Sequence, residues 1–223
     1  MTEIKTKHPA KYSKQLLPIF QRMLKGCNNV LDPFAGVGTI HSLPFKTTGV
    51  EIEEEWANQH KNTVLGDATK LIFNDGVFDG VCTSPTYGNR MADCHIAKDK
   101  SKRNTYTHTL GKQLNNNNSG KMQWGDSYKK LHEKAWLEVF RVLKNDGVLV
   151  LNIKNHIRKG LVVDVFSWHV KTLLNIGFSI EEIQQVPVNG NGFGSNGKTR
   201  IKYEFVALFR KPKNGNNGRN DNG

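Results

Sequence analysis

Short apolar runs alternate along the chain with stretches whose apolar positions recur every three to four residues. Phe78-Asp-Gly-Val-Cys-Thr83 and Gly147-Val-Leu-Val-Leu-Asn-Ile153 are short and apolar enough for buried strands. Asn29-Val-Leu-Asp32, Thr48-Gly-Val-Glu-Ile52 and Thr63-Val-Leu-Gly-Asp67 predict shorter strands, and two more follow near 179–187 and 202–210. Leu131, Ala135, Val139 and Val142 fall on one face of a helix over 128–143, and a second helix over 163–175 stops before Gly177. Residues 13–25 predict an amphipathic helix with Ser13 as its N-cap and a bend at Pro18. Shorter helices are expected over 39–45 and 56–62. The alternation predicts an α/β fold: a doubly wound, mostly parallel sheet finished by a C-terminal antiparallel hairpin.

Two segments break the pattern. Residues 89–125 are polar, and a connection this long inside a compact domain is usually functional or disordered. They carry Arg90, Lys98, Lys100, Lys102, Arg103, Lys112 and Lys121 against Asp93 and Asp99, a net charge of +5, with Asn115-Asn-Asn-Asn118 in the middle. The Gly/Asn-rich residues 212–223 read as a disordered tail, which leaves a single domain over 1–211 with the basic loop inserted in it. At 223 residues the chain suits one sizeable core, and no internal repeat is visible.

Composition narrows the class. No apolar run approaches the length of a membrane span, and the N-terminal residues lack an apolar signal region, so a cytoplasmic protein is expected. Cys27, Cys82 and Cys94 are odd in number and scattered, which favours a reducing compartment over a disulfide framework. Cys94, His95 and His108 have poor spacing for zinc, and no metal is expected. The formal net charge of +12 draws such a chain to polyanions, nucleic acid foremost.

The candidate chemistry lies in two loops. Asn29-Val-Leu-Asp-Pro-Phe-Ala-Gly-Val-Gly38 ends a strand on a carboxylate and turns tightly on Gly36 and Gly38, as a loop does when a ligand lies against its backbone. A dinucleotide-binding turn is the rival reading, because Glu51 stands 19 residues after Asp32. Its third glycine is missing, however, from Gly36-Val-Gly-Thr-Ile-His41. Cys82-Thr-Ser-Pro-Thr-Tyr-Gly88 follows another strand and offers hydroxyls and an aromatic face to a flat ring.

Asp32-Pro-Phe-Ala-Gly-Val-Gly38 resembles the S-adenosylmethionine-binding motif of amino-group DNA methyltransferases. Ser84-Pro-Thr-Tyr87 resembles their catalytic tetrapeptide, in which the third position is usually proline. His8-Pro-Ala-Lys-Tyr12 resembles the segment that closes over the methionine end of the cofactor. The three occur in the gamma-type order. The longer string from Ser84 to Asp93, with Arg103-Asn-Thr-Tyr106 and Met122-Gln-Trp-Gly125, resembles phage-encoded members.

The resemblance implies a Rossmann-like methyltransferase sheet and S-adenosylmethionine as cofactor. His8, Pro9, Pro33 and Phe34 would belong to the cofactor site, Gly36 and Gly38 would let the cofactor lie against the backbone, and Asp32 would stand near its amino-acid portion. Glu51 would take the ribose hydroxyls, Ile52 would pack on the adenine ring, and Asp67 would accept from the adenine amino group. Ser84 and Pro85 would accept from the exocyclic amino group of a base flipped out of its duplex, and Tyr87 would stack on that base. DNA is the expected partner, with Arg90, Lys98, Lys100, Lys102, Arg103, Lys154 and Arg158 along its phosphates. Ser-Pro at the start of the tetrapeptide favours cytosine N4 slightly over adenine N6. A C5 enzyme needs a nucleophilic cysteine, and Pro85 is followed by Thr86 instead. An RNA amino-group methyltransferase and a catalytically weak nucleic-acid binder are the alternatives, the latter because Thr86 replaces the usual proline. The expected setting is a bacterial or phage-infected cell, with restriction protection and genome self-marking both open.

Overall fold

The computed structural model describes residue 8, residues 12–96, residue 100, residues 102–188 and residues 200–213. Nine strands form among them: β1 (Asn29–Asp32), β2 (Lys46–Glu51), β3 (Thr63–Leu65), β4 (Phe78–Thr83), β5 (Leu143–Ile153), β6 (His156–Arg158), β7 (Leu161–Val163), β8 (Ser179–Pro187) and β9 (Tyr203–Arg210). The α-helices are α1 (Leu17–Met23), α2 (Glu54–Ala57), α3 (Tyr106–Leu110), α4 (Asp126–Val142) and α5 (Val165–Ile176). Seven strands make one sheet in the order β3-β2-β1-β4-β5-β9-β8, while β6 and β7 form a separate antiparallel ribbon. The first five of the seven pair in parallel; β9 joins antiparallel to β5 and β8 antiparallel to β9. This is the doubly wound, mostly parallel sheet with an antiparallel finish that the apolar pattern predicts.

Both faces of the sheet are covered, as buried parallel strands require. On one face Leu16, Phe20 and Leu24, in and flanking α1, pack with Val30, Cys82, Val150 and Val206. On the other, Trp136 and Val139 of α4 and Leu173 of α5 pack with Leu31, Val81, Leu149 and Phe209.

Several elements differ from expectation. A 3-10 turn over Lys14–Leu16 precedes α1, and Leu16 rather than Ser13 is the cap. Pro18 stands in the first turn of α1, where its missing N–H costs nothing, so it starts the helix instead of bending it. The helix expected over 39–45 is a 3-10 turn, Thr39–Ser42, because Leu43 precedes Pro44 and is driven to extended backbone (ψ 150°). The helix expected over 56–62 is only α2, displaced to Glu54–Ala57. The loop 89–125 is structured where described: it holds 3-10 turns at Arg90–Ala92 and Ser119–Lys121 and the helix α3. Among the described residues no helix is long and apolar enough to cross a membrane.

Candidate active site

The parallel strands release their loops at one sheet edge, where open α/β sheets bind ligands. Register sets the order of the groups there. Asp32 of β1 lies opposite Gly49 of β2, Leu31 opposite Val81 of β4, and Thr83 of β4 opposite Leu151 of β5. Asp67, Glu51, the turn 33–38, the loop 84–87 and Asn152 are therefore brought side by side by the spatial order of β3, β2, β1, β4 and β5. A cavity of about 1060 Å³, its open mouth included, runs along this edge. His8, Pro33, Phe34, Gly36, Glu51, Ile52, Asp67, Ser84, Pro85 and Tyr87 all line it.

Glu51 is buried, and its carboxylate accepts from the backbone N–H of Gly36 (2.9 Å), Ile52 (3.0 Å) and Glu53 (2.9 Å). It thus fastens the glycine turn to the end of β2. Burial pushes its carboxyl up to about 7, although the three amides pull the other way. Gly36 has a φ of +54°, and a Cβ there would lie 3.3 Å from the His8 imidazole. His8 is therefore seated on the turn, edge-on to Trp56 with ring centroids 4.3 Å apart.

Two residues expected at the cofactor stand outside the cavity lining. Asp32 is buried beneath the loops, where its carboxylate accepts from the Tyr12 hydroxyl, the Thr83 hydroxyl (2.7 Å) and the Phe34 N–H (3.0 Å). These bonds tie residue 12 and the ends of β1 and β4 together, and burial raises the Asp32 carboxyl to about 6. Gly38, with φ +79°, faces the stacked rings of His41 and His60; a Cβ there would lie 2.7 Å from His41. Both turn glycines have positive φ, but only Gly36 faces the cavity. Pro9 lies outside the described residues.

At the far end of the cavity Ser84 Oγ lies 2.9 Å from the Tyr87 hydroxyl and 3.0 Å from Asn152 Oδ1. Thr86 is held from two sides. Its Oγ1 donates to Ser119 Oγ at 2.9 Å, and its carbonyl accepts from Tyr128 at 2.6 Å. Behind Tyr128 a buried chain continues through His169 Nε2 (2.9 Å) to Trp136 Nε1–H, which donates to His169 Nδ1 at 2.9 Å. Burial pushes the His169 imidazole well below the usual histidine range, so it stays neutral.

The asparagine run forms one wall of the site. Asn117 Nδ2 donates to Asp67 at 2.7 Å, and Asn118 Nδ2 donates to Glu53 at 2.7 Å. Asp67 also accepts from the N–H and hydroxyl of Thr69, both at 2.8 Å. Asn117, Asn118 and Ser119 line the cavity with Tyr106, Asn152 and Glu204. Asn152, Glu204 and the asparagine run escape sequence reading. The available signal for Asn152 is a lone amide in an otherwise apolar strand.

No protein-family model and no curated protein matches the sequence. Solved structures do match. The chain is similar to an S-adenosylmethionine-dependent methyltransferase of Methanosarcina mazei at 16% identity, over 88% of this chain and 98% of that one, with a TM-score of 0.56. It is similar to the 1,6-didemethyltoxoflavin-N1-methyltransferase of Burkholderia thailandensis, solved with S-adenosylhomocysteine, at 15% identity over 89% and 77%, TM-score 0.54. The N-methyltransferase NodS of Bradyrhizobium japonicum matches at 12% identity over 89% and 96%, TM-score 0.54. The fold is the Rossmann-like methyltransferase fold. The cavity of this methyltransferase fold lies at the carboxyl edge of its parallel strands.

The expected phosphate-binding groups divide. Lys100 and Lys102 are exposed. Arg103 and Arg158 instead share Asp93, at 3.4 and 3.6 Å, and Arg158 also donates to Gln123 at 2.5 Å. This joins the loop to the β6–β7 ribbon and spends two of the expected cations on one carboxylate. Lys154 is half-buried, which lowers its ammonium pKa. Arg90 sits in the 3-10 turn Arg90–Ala92, and Lys98 lies outside the described residues.

Proposed function

We propose that the protein is an S-adenosylmethionine-dependent DNA methyltransferase acting on an exocyclic amino group of a flipped base, cytosine N4 slightly ahead of adenine N6. One observation carries the reading: the glycine turn with Glu51 and Asp67, and the Ser84–Tyr87 loop, open into one cavity from adjacent strands. The residues present fit the cofactor. Gly36 lines the cavity beneath His8, Glu51 and Asp67 offer carboxylate oxygens, and Ile52 and Phe34 offer apolar faces. When bound, S-adenosylmethionine supplies an electrophilic sulfonium methyl group.

The chain's own residues would position the base. An exocyclic amino nitrogen is a poor nucleophile because its lone pair is delocalised into the ring. The Ser84 hydroxyl and the Pro85 carbonyl accept from its N–H groups, favour a pyramidal nitrogen and free the lone pair. The Tyr87 ring holds the base by stacking. Preorganised acceptors and orientation supply most of the rate. Thr86 fits an active enzyme rather than a weak binder, because its side-chain hydroxyl, donating to Ser119, fixes the loop where proline would otherwise stiffen it. The net charge of +12 and the exposed Lys100 and Lys102 favour a polyanionic substrate. The test is single-turnover methyl transfer and cofactor affinity measured together on Tyr87→Ala. Lost transfer with intact affinity is expected; unchanged transfer removes this loop from the active site.

A further inference from the structure

Asn152 is buried in β5 beside Ser84, in a strand that is otherwise apolar over 147–153. A buried amide is costly unless its atoms are bonded. Its Nδ2 donates to the Phe205 carbonyl at 3.2 Å. A carbonyl only accepts, so this contact fixes which way round the amide stands: Oδ1 must face Ser84. The reverse orientation would set Oδ1 against the Phe205 oxygen, acceptor against acceptor.

The polarity then propagates. Ser84 has one hydroxyl proton, and it goes to Asn152 Oδ1 at 3.0 Å. With that proton committed, the Tyr87 hydroxyl donates to Ser84 Oγ at 2.9 Å in preference to Asn152 Oδ1, its more distant acceptor at 3.4 Å. Tyr87 fills one lone pair of Ser84 Oγ, and the second is left for a group entering the cavity. Glu204 lines the same region, and its carboxylate, when ionised, also only accepts.

We propose that Asn152 is a positioning residue that locks Ser84 as an acceptor, and so selects substrates that present an N–H donor over those that present only a carbonyl or ring-nitrogen acceptor. The proposal rests on the reading of the cavity as an amino-group methyltransferase site. A buried amide that merely joined β5 to β9 would affect stability and leave the behaviour of Ser84 untouched.

The test is a double-mutant cycle on the full-length protein. Single-turnover transfer to DNA containing cytosine and adenine is measured for the wild type, Ser84→Ala, Asn152→Leu and the double variant, with S-adenosylhomocysteine affinity on the same samples. Asn152→Leu nearly preserves volume. It should slow transfer about 10–100-fold, the scale of one lost oriented hydrogen bond, and change cofactor affinity less than about twofold. In the Ser84→Ala background it should cost less than about threefold more, because its target is gone. A full, independent loss in that background overturns the proposal. Asn152→Asp gives a second route if the leucine variant does not fold. When protonated it offers a hydroxyl to Phe205 and an oxygen to Ser84, so folded protein should retain transfer within about fivefold of wild type. A loss of about 100-fold in folded Asn152→Asp also overturns it. A wild type that methylates no amino group overturns the functional reading, and this inference with it.

Discussion

With the ribose hydroxyls on Glu51 as proposed, the raised pKa of this carboxyl should make cofactor binding pH-dependent in a range where an ordinary carboxylate is silent. Burial holds this carboxyl at about 7, against an ordinary value of 4.5. Ribose hydroxyls donating to Glu51 require the ionised form. From pH 8 to pH 6 the ionised fraction falls from about nine-tenths to about one-tenth, so affinity for S-adenosylhomocysteine should fall about tenfold. Binding at pH 7 should release about half a proton per site. Calorimetry in two buffers of different ionisation enthalpy reads both quantities. Glu51→Gln should bind about 10–100-fold more weakly at pH 8, from the loss of charge-assisted hydrogen bonds. It should also lose the pH dependence assigned to residue 51. The stability effect follows with its own sign. A carboxyl whose pKa is raised by folding favours the folded state below its unfolded pKa, and that contribution is lost as pH rises through the folded value. The cofactor-free protein should therefore lose stability between about pH 4.5 and 7 through Glu51, and between about 3.8 and 6 through Asp32. Affinity that is flat from pH 6 to 8 with no proton release would refute the placement of the ribose on Glu51.

Three further predictions concern the surroundings of the site. Gly38→Ala should lower the melting temperature, costing about 1 kcal/mol or more at a positive-φ position crowded by His41, while affinity per folded molecule stays the same; an unchanged melting curve would contradict the packing described. Lys100→Ala with Lys102→Ala should make the fall of log DNA affinity with log salt shallower by about 2 units, at roughly 0.9 per phosphate, whereas Arg103→Ala, whose partner is Asp93, should barely change it; parallel slopes for the lysine pair would move the DNA surface elsewhere. Thr86→Val removes the hydroxyl bonded to Ser119 and should speed amide exchange in the 84–88 loop and slow transfer several-fold, at roughly 1 kcal/mol for one hydrogen bond; unchanged exchange would show that this bond does not hold the loop.

The sheet was legible because its strands are short, apolar and bounded by turn residues. Phe78–Thr83 and Ser179–Pro187 have the predicted bounds, and α4 follows the apolar spacing of Leu131, Ala135, Val139 and Val142. Propensity could not place the ribbon His156–Arg158 and Leu161–Val163, since three-residue strands carry too little pattern. The two glycines of the turn look equivalent in sequence; only packing distinguishes Gly36, under His8, from Gly38, against His41. The basic loop reads as charge, yet its asparagines reach carboxylates of residues 53 and 67, far away in sequence. Arg103 and Arg158 read as phosphate contacts because the carboxylate between them, Asp93, pairs with both only in the fold. Asn152 is set by a strand neighbour and by the Phe205 carbonyl, neither of which sequence spacing reveals.

The most direct measurement of the central claim is transfer of a labelled methyl group from S-adenosylmethionine to DNA and RNA side by side, followed by digestion and identification of the labelled nucleoside. Label is expected in DNA, as N4-methylcytosine or N6-methyladenine, strongly reduced but measurable in Ser84→Ala and lost in Tyr87→Ala. Label confined to RNA, or no label in either nucleic acid, would contradict it.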